Sequence, residues 1–221
     1  MAKYVDDYLT IALPKGKLFS LSANLFEQVG VTAEHLSEKS RKLIISNDEY
    51  KVRFIITKTS DVPTYVEYGA ADIGVIGKDV LVESGQDVYE LLDLGFGKCR
   101  LMMAVPREER RSRLLDYAHT RVATKYPHIA EQFFAQQGMQ MEYIKLNGSI
   151  ELGPIVGLSE SIVDIVETGT TLVENDLEEI AHIMDVSARL IVNRVSFKLK
   201  FDRIYGIVND LKRVLESGAG K

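Results

Sequence analysis

The sequence predicts an α/β fold divided into two lobes. Apolar runs of strand length alternate with amphipathic runs of helix length along the whole chain. Both halves repeat this alternation, and a glycine-rich segment, Gly95-Phe96-Gly97-Lys98, separates them. Strands that alternate with helices build largely parallel sheets, so we expect one such sheet in each lobe. We therefore assign residues 1–98 and 186–221 to lobe I and residues 99–185 to lobe II, with a cleft between them.

The elements of lobe I follow from hydrophobic periodicity and turn residues. We predict strands at 9–13, 42–46, 52–57, 72–77 and 88–94, and helices at 18–29, 61–69 and 78–83. The first helix depends on an apolar stripe at helical spacing, made of Leu18, Leu21, Leu25 and Val29. Ser60 is expected to cap the second helix, which has Pro63 in its first turn. The glycine-rich segment after lobe I is either a hinge or an ordinary turn.

The elements of lobe II are predicted in the same way. We predict strands at 101–105, 121–124, 141–146 and 162–166, and helices at 108–117, from 127 onward, and from about 150 to 156 after a cap at 147–149. The apolar stretch 179–193 indicates one or two strands. A last amphipathic helix over 197–215 is expected to pack back on lobe I, so that the chain crosses between the lobes twice.

The composition argues against several functional classes. A formal net charge of −5 offers nucleic acid no basic surface. The four histidines are scattered and Cys99 is the only cysteine, so neither a structural zinc site nor an internal disulfide is expected. The sequence shows no secretory signal and no apolar run long enough to cross a bilayer. We therefore expect a cytoplasmic protein that contacts neither nucleic acid nor membrane.

The most informative segment is Asp164-Ile165-Val166-Glu167-Thr168-Gly169-Thr170-Thr171, in which an apolar strand runs into a loop of threonines. Gly169 permits a positive φ that brings backbone N–H groups close to a ligand, and the threonine hydroxyls add donors. A short helix opening after this loop favours an anion at its N-terminus. The pattern predicts a site for a phosphate monoester, with Asp164 accepting from hydroxyls of the attached sugar. The alternative interpretation is that the segment is only a strand, a turn and a capped helix that bind no ligand.

Cationic residues after other strands are candidates for further phosphate contacts. Lys15 and Lys17 flank a glycine directly after the first strand, and ligands of α/β folds bind at the carboxyl ends of strands. We therefore expect this turn and the threonine loop to face one cleft. The remaining cationic candidates are Arg53, Lys58 and Arg100, and Glu151 is a separate candidate for ligating magnesium or orienting a water. Solvated surface charge, or a local cap in the case of Glu151, is the alternative for each of them.

Seven groups of segments occur in a recognisable order: LTIALPKGKL at 9–18, DVPTYV at 61–66, GAADIG at 69–74 with GKDVL at 77–81, GFGKCRL at 95–101, RVATKYP at 121–127, LNGSIE at 146–151 and DIVETGTTL at 164–172. Together they resemble the catalytic subunit of the ATP phosphoribosyltransferase family, which catalyses the first step of histidine biosynthesis. The resemblance extends from Leu9 to about Asn193. Each segment alone is weak evidence, whereas seven in register are highly specific.

The resemblance implies a fold, a reaction and partners. The fold would be the two-lobed type II fold of periplasmic binding proteins, with a central cleft. The reaction would join N1 of the adenine of ATP to C1 of phosphoribosyl pyrophosphate and release pyrophosphate, with Mg²⁺ held mainly by the substrates. The chain has the length of the short form of the family. That form implies a regulatory subunit similar to histidyl-tRNA synthetase in a hetero-octamer, and a self-dimer of this chain.

The resemblance also implies roles for individual residues. Lys15, Lys17 and Arg53 are expected to act in catalysis by neutralising pyrophosphate or ATP phosphates. Substrate binding is expected from Asp164, Glu167, Thr168, Gly169, Thr170, Thr171, Arg100, Glu151 and Lys58. The chain departs from relatives that have arginine at position 17 or 58, so lysine there supplies a point charge without a planar fork. It also has Val163 where unrelated phosphoribosyltransferases usually have a first acid.

Two other functions remain open at this stage. A solute-binding receptor of the periplasmic type would share the two-lobed fold. Alternatively, an enzyme of another phosphoribosyl-transfer pathway would use the same donor with a different acceptor base. Turnover with ATP and the donor distinguishes the first alternative, and exchange of the acceptor distinguishes the second.

Overall fold

The computed structural model describes residues 7–40 and 42–218. In this part of the chain, two compact units are present. Unit 1 contains the described residues up to Gly97 together with those from Ser187 onward, and unit 2 is the continuous stretch Lys98–Val186. Unit 1 is therefore assembled from two separate pieces of the sequence, and unit 2 from one.

The described residues form strands and helices that alternate for most of the chain. The strands are β1 (Leu9–Pro14), β2 (Ile44–Asn47), β3 (Val52–Thr57), β4 (Ile73–Gly77), β5 (Tyr89–Asp93), β6 (Cys99–Pro106), β7 (Arg121–Thr124), β8 (Glu142–Lys145), β9 (Ser161–Val166), β10 (Leu177–Val186) and β11 (Ala188–Val192). The helices are α1 (Lys17–Gln28), α2 (Val62–Glu67), α3 (Lys78–Ser84), α4 (Pro127–Gln136), α5 (Leu152–Ile155), α6 (Thr170–Glu174), α7 (Arg194–Leu199) and α8 (Phe201–Gly218). The α/β class predicted from the sequence is confirmed.

The sheet of unit 1 has the strand order β2-β3-β1-β4-β11-β5. β1 lies between two parallel neighbours, β3 and β4, so the carboxyl ends of these three strands share one edge. β2 pairs antiparallel with β3, and β11 pairs antiparallel with both β4 and β5. The expectation of a largely parallel sheet is therefore wrong for β2 at one edge and for β11 inside the sheet, because β2 forms a hairpin with β3 and β11 follows the last strand of unit 2.

The core of unit 1 is an apolar cluster built on β1, β3, β4 and β11. Its fully buried members include Leu9, Ile11, Phe54 and Leu190. Helix α1 buries Phe19, Ser22, Leu25 and Phe26. The predicted stripe is therefore wrong in part, since Leu21 is exposed and Leu18 and Val29 are half-buried. The aromatic side chains at 19 and 26 have more apolar surface to bury than Leu21, which sets the rotation of the helix.

The sheet of unit 2 has the strand order β10-β6-β9-β7-β8. β9, β7 and β8 run parallel, whereas β6 runs antiparallel to both β9 and β10. The carboxyl ends of β9, β7 and β8 therefore share one edge, as those of β3, β1 and β4 do in unit 1. Arg100 of β6 lies directly opposite Val166, the last residue of β9. Each unit thus combines three parallel strands with antiparallel neighbours.

The predicted helix at 108–117 is absent. Short 3₁₀ turns at Arg107–Glu109 and Leu114–Tyr117 replace it. The Asp116 carboxylate accepts a hydrogen bond from the backbone N–H of Arg113, at 3.1 Å, and the buried Tyr117 hydroxyl accepts one from the N–H of Arg111, at 2.7 Å. These side chains satisfy backbone groups that a helix would have paired, so a charged, helix-favouring sequence folds as turns.

Three smaller expectations also differ from the structure. Ser60 donates to Asp61 Oδ1 at 2.9 Å and does not cap α2, which begins after a 3₁₀ turn. α5 has no side-chain cap from 147–149. The last helix is divided at Lys200, whose Nζ donates to Asp72 Oδ2 at 2.8 Å and to the Tyr8 carbonyl at 2.7 Å. Helix α8 still packs on the core of unit 1, through Ile204 and Leu211.

Candidate phosphate-binding site

The threonine loop, residues 168–171, follows β9 at the carboxyl edge of the parallel strands of unit 2. Gly169 adopts φ 84° and immediately precedes α6. The hydroxyls of Thr168 and Thr170 lie 3.1 Å apart and are exposed. The loop therefore presents hydroxyl groups at the edge where ligands of α/β folds bind.

Two carboxylates precede this loop. Asp164 is half-buried in β9, where one of its oxygens accepts the N–H of Ile165 at 2.8 Å. Residues 164 and 166 share a face of the sheet because side chains alternate along a strand, and Val166 ends the strand beside the loop. Glu167 is exposed at the start of the loop. Asp164 thus lies close to the threonine loop and carries the oxygens that sugar hydroxyls donate to.

Arg100 also lies beside the loop, and the structure gives it a partner that the sequence did not reveal. Its guanidinium donates to both oxygens of Glu179, with Nη2–Oε1 at 2.8 Å and Nε–Oε2 at 3.2 Å. A Cβ atom added to Gly169 would lie 3.4 Å from Oε1 of Glu179. The Glu179 carboxylate therefore binds Arg100 and lies close to the threonine loop. These hydrogen bonds, and the attraction between the charges, raise the pKa of Arg100 above its ordinary value.

Lys125 is a second residue that the sequence reasoning missed. It follows β7, whose carboxyl end lies next to that of β9, and it is exposed. Thr124 fixes this turn, because its hydroxyl donates to the carbonyl of Val163 at 2.7 Å and accepts the N–H of Tyr126 at 2.9 Å. The position of Lys125 directly after a predicted strand could have identified it from the sequence, as the same position identified Lys15.

Glu151 lies at the same end of unit 2. It precedes α5, and its side chain makes no capping hydrogen bond with that helix. Its neighbour Ile150 is buried in a cluster with Val166 of β9 and Leu172 of α6. The structure thus brings Glu151 into the neighbourhood of the threonine loop, together with Asp164 and Arg100.

The lysine turn, residues 15–17, occupies the equivalent place in unit 1. It follows β1 at the shared carboxyl edge, and the Lys15 N–H donates to the carbonyl of Thr57 at 2.9 Å. Gly16 adopts φ 92° and precedes α1. Its N–H donates to Oε1 of Glu38 at 2.6 Å, so the turn binds a carboxylate of the chain itself. Lys15 and Lys17 are both exposed on either side of that contact.

Two further candidates of unit 1 lie at different ends of one strand. Lys58 follows β3, whose last residue Thr57 is paired with Pro14, so it lies at the same edge as the lysine turn. Arg53 is near the beginning of β3, paired with Thr10, and its guanidinium lies 4.6 Å from the centre of the Tyr8 ring. The structure therefore brings Lys58 and the lysine turn together, and places Arg53 away from that edge.

A cavity of about 470 Å³ borders the threonine loop on the side of α6 and β10. Its lining includes Thr168, Thr170, Leu172, Glu178, Glu179 and Arg107. Among the described residues, no group of three or more histidine, cysteine, aspartate or glutamate side chains is arranged to hold a metal ion. Nor is any helix in that part of the chain both long and apolar enough to span a bilayer.

The fold and the two glycine turns define an α/β protein of two units, each with a glycine turn after a parallel strand, where phosphates often bind. The family model described as ATP phosphoribosyltransferase matches residues 58–213. An ATP phosphoribosyltransferase of Syntrophotalea carbinolica is 53% identical over 98% of this chain and 99% of its own length. One of Lachnoclostridium phytofermentans is 54% identical over 94% of this chain and 97% of its own.

Comparison with solved structures indicates the same family as the sequence comparisons. The chain is similar to one in the ATP phosphoribosyl transferase (HisG:HisZ) complex from Thermotoga maritima, with a TM-score of 0.81 and 32% identity over 95% of this chain and 99% of that one. A substrate-binding protein of an amino acid ABC transporter has a TM-score of 0.61 at 11% identity, over 96% of this chain and 94% of that one, which shows a shared fold alone. The chain belongs to the ATP phosphoribosyltransferase family.

Proposed function

We propose that this chain transfers the phosphoribosyl group of phosphoribosyl pyrophosphate to N1 of ATP, which forms N1-(5-phosphoribosyl)-ATP and pyrophosphate in the first step of histidine biosynthesis. Family membership supports the reaction. The structural observation that carries the assignment of the site is the threonine loop, which follows the same strand as Asp164. The loop suits the phosphate of a ribose 5-phosphate, and the carboxylate of Asp164 on the same strand suits the hydroxyls of its sugar.

The donor is held by unit 2 in this proposal. Backbone N–H groups and hydroxyls of the threonine loop, residues 168–171, bind the 5′-phosphate. Asp164 accepts hydrogen bonds from the ribose hydroxyls, and Glu167 lies next to it in sequence. Arg100 and Glu151, at the same end of the unit, contact the substrates. Together these groups fix the sugar so that C1 is presented to the acceptor, which lowers the entropic part of the barrier.

The chemistry needs no strong general base. The lone pair of adenine N1 forms the new N–C1 bond while the bond from C1 to the pyrophosphate oxygen breaks, and the electron pair of that bond leaves with pyrophosphate. Positive charge develops on the ribose, and negative charge on the leaving group. Catalysis is then mainly positioning and charge stabilisation, for which Lys15, Lys17 and Lys58 supply cationic groups to the phosphates of ATP or pyrophosphate. Arg53 has the same proposed role, although it lies away from that edge.

Mg²⁺ is the proposed cofactor, and it neutralises charge on the pyrophosphate when bound. Glu151 is the carboxylate proposed to ligate it or to orient a water. The ion is proposed to be bound mainly through substrate oxygens with one or two carboxylates, which is how proteins usually hold Mg²⁺ at phosphate-bearing substrates.

The partners are part of the same proposal. The solved relative from Thermotoga maritima is described as a HisG:HisZ complex. By analogy, a regulatory subunit similar to histidyl-tRNA synthetase is proposed to bind this chain in a hetero-octamer of the short form, in which this chain also pairs with itself. The proposed location is the cytoplasm. Co-expression followed by co-purification and mass measurement of the complex tests the partner and the number of subunits.

The reaction is tested by mixing the chain with ATP, phosphoribosyl pyrophosphate and Mg²⁺, and following pyrophosphate release together with the absorbance of the adduct. Turnover is expected only with both substrates, and it should fall when chelator removes the metal. Binding of a substrate without pyrophosphate release would favour a receptor. Turnover with another base in place of ATP would reveal an enzyme with a different acceptor.

A further inference from the structure

The Arg100–Glu179 pair has a place in the molecule that an ordinary surface pair lacks. Arg100 is opposite Val166, two residues before the threonine loop, and Glu179 is on the neighbouring strand β10. Their side chains are 40% and 27% exposed. The carboxylate also lies in van der Waals range of the position that a Cβ of Gly169 would occupy. The pair thus lies next to the turn proposed to bind the 5′-phosphate.

The hydrogen bonds leave part of the guanidinium available. Arginine has five N–H donors in a planar fork, and Glu179 is bonded through Nε and Nη2. The two N–H groups of Nη1 therefore point away from the carboxylate. Fixing one edge of the guanidinium orients the other edge, which has the geometry that binds phosphate oxygens well.

The charges of the pair also matter. A carboxylate this close to a phosphate-binding turn would repel a phosphate if it stood alone, because two anions would then face each other. Arg100 neutralises Glu179, and the remaining donors of Arg100 add attraction for an anion. The charges therefore favour phosphate only while Arg100 is present to neutralise Glu179, and the contribution of Glu179 is to orient the guanidinium.

We propose that Glu179 is a positioning residue for the phosphoribosyl donor. It holds the Arg100 guanidinium beside the threonine loop, so that Arg100 becomes part of the wall that receives the donor. The inference rests on the proposed function, in which this loop binds the 5′-phosphate. It assigns a specific task to a glutamate of β10 that has no place among the residues expected from the sequence.

The chain contains a matched control for this pair. Arg121 and Glu160 form an ion pair in the same unit with side chains that are 39% and 27% exposed. Glu160 precedes the first residue of β9, whereas the threonine loop follows its last residue, so the two pairs are at opposite ends of the strand. Removing either glutamate disturbs an ion pair of the same kind and exposure, but only Glu179 lies beside the loop.

The experiment measures KM for each substrate and kcat in the full-length chain for Glu179→Gln, Arg100→Ala, the double variant and Glu160→Gln. Glu179→Gln should raise KM for phosphoribosyl pyrophosphate about tenfold, the loss expected for one hydrogen bond to a charged group, with KM for ATP unchanged. Arg100→Ala should have an effect of similar size. The double variant should be no worse than Arg100→Ala, because Glu179 acts through Arg100. Glu160→Gln should leave both constants at the wild-type values.

The outcomes separate this inference from the function on which it rests. If the wild-type chain shows no turnover, the proposed function fails. If the wild-type chain is active and Glu179→Gln leaves KM for the donor unchanged or lowers it, the positioning role is overturned. Additive effects in the double variant, or an equal loss in Glu160→Gln, would also overturn it. Glu179→Asp, which keeps the charge, should recover part of the affinity for the donor. A merely structural role of Glu179 would instead lower the melting temperature of Glu179→Gln without a selective change in KM.

Discussion

The threonine loop of unit 2 and the lysine turn of unit 1 occupy comparable places but are built differently. Each follows a parallel strand, and each has a positive-φ glycine immediately before a helix, Gly169 at 84° and Gly16 at 92°. Neither helix has a side-chain cap. The turns differ in ψ, which is −3° at Gly169 and −156° at Gly16, and in the flanking side chains, which are hydroxyls in one turn and ammonium groups in the other.

The current partners of the two turns differ as well. The hydroxyls of Thr168 and Thr170 lie within hydrogen-bond distance of each other, whereas the Gly16 N–H is bonded to the carboxylate of Glu38. An anion that enters the threonine loop replaces weak local contacts. An anion that binds the Gly16 amide has to displace a charged group. A positive-φ glycine after a parallel strand is thus common to both turns, and the surrounding side chains determine the charge that each turn favours.

The largest expected effect concerns the acid that accompanies the threonine loop. Asp164→Asn should lower kcat about 100-fold, the scale of a lost charged contact in the transition state, because the amide binds the ribose hydroxyls with less charge as the sugar becomes cationic. Steady-state kinetics and a melting curve measure this, and the melting temperature should change little. Asp185→Asn, at an exposed carboxylate on β10, is the control. Equal losses in both variants would remove Asp164 from the site.

The two glycines allow a direct comparison of the turns. Gly169→Ala places a Cβ at a positive φ and 3.4 Å from Glu179, so KM for the donor should rise about tenfold, given that left-handed backbone costs about 1–2 kcal/mol in other residues. Gly16→Ala meets no atom within 4 Å, but its φ of 92° and ψ of −156° lie in a region that other residues almost never adopt. Its backbone cost falls on the lysine turn and not on the threonine loop, so it should change KM for the donor less than Gly169→Ala does. The opposite ranking would mean that the lysine turn, rather than the threonine loop, binds the sugar phosphate.

The charged turn should respond to salt, and the neutral one should not. Lys15→Ala combined with Lys17→Ala should raise KM for ATP about fivefold at low ionic strength, in keeping with exposed ion pairs of about 1 kcal/mol. The loss should shrink at high salt, because screening already weakens these contacts in the wild type. Titration of KM against salt in both proteins measures this. A loss that is constant across salt would contradict a point-charge role.

The smallest effect is expected from the carboxylate at the lysine turn. Glu38→Gln removes the anion that occupies the Gly16 amide, so KM for ATP should fall about threefold, the scale of one charge near a helix N-terminus. Glu34→Gln, a fully solvated neighbour on the same segment, is the control and should leave KM unchanged. An increase of KM in Glu38→Gln would show that Glu38 supports the turn and does not compete at it.

Much of the fold was accessible from the sequence, because hydrophobic period and glycine turns are local signals. The strands at 9–13, 52–57 and 121–124 were predicted within one residue of their ends. What could not be predicted depends on contacts between distant residues. The 108–117 segment has the composition of a helix, yet Tyr117 is buried and binds the backbone of Arg111, which favours turns. Strand direction was also missed, because periodicity does not show which neighbour a strand has.

The residues of the candidate site likewise include some that the sequence predicted and some that it did not. The threonine loop, Asp164 and the lysine turn were visible because glycine, hydroxyl and charged residues follow apolar strands directly. Glu179 was not, since it lies within a strand and does not directly follow one, and its closeness to Gly169 exists only after β10 pairs with β6. The same holds for Glu38, which is 22 positions from Gly16 in the sequence. Both are acids whose relevance depends on tertiary contact.

The position of β11 between β4 and β5 has a consequence for synthesis of the chain. When residues 1–97 have left the ribosome, the strand that joins β5 to β4 has not yet been made, because it lies at Ala188–Val192. Lys98–Val186, by contrast, is contiguous and complete before that strand emerges. Unit 2 is thus free to fold first, while the N-terminal part of unit 1 keeps an open sheet edge until the segment from Ser187 onward is made.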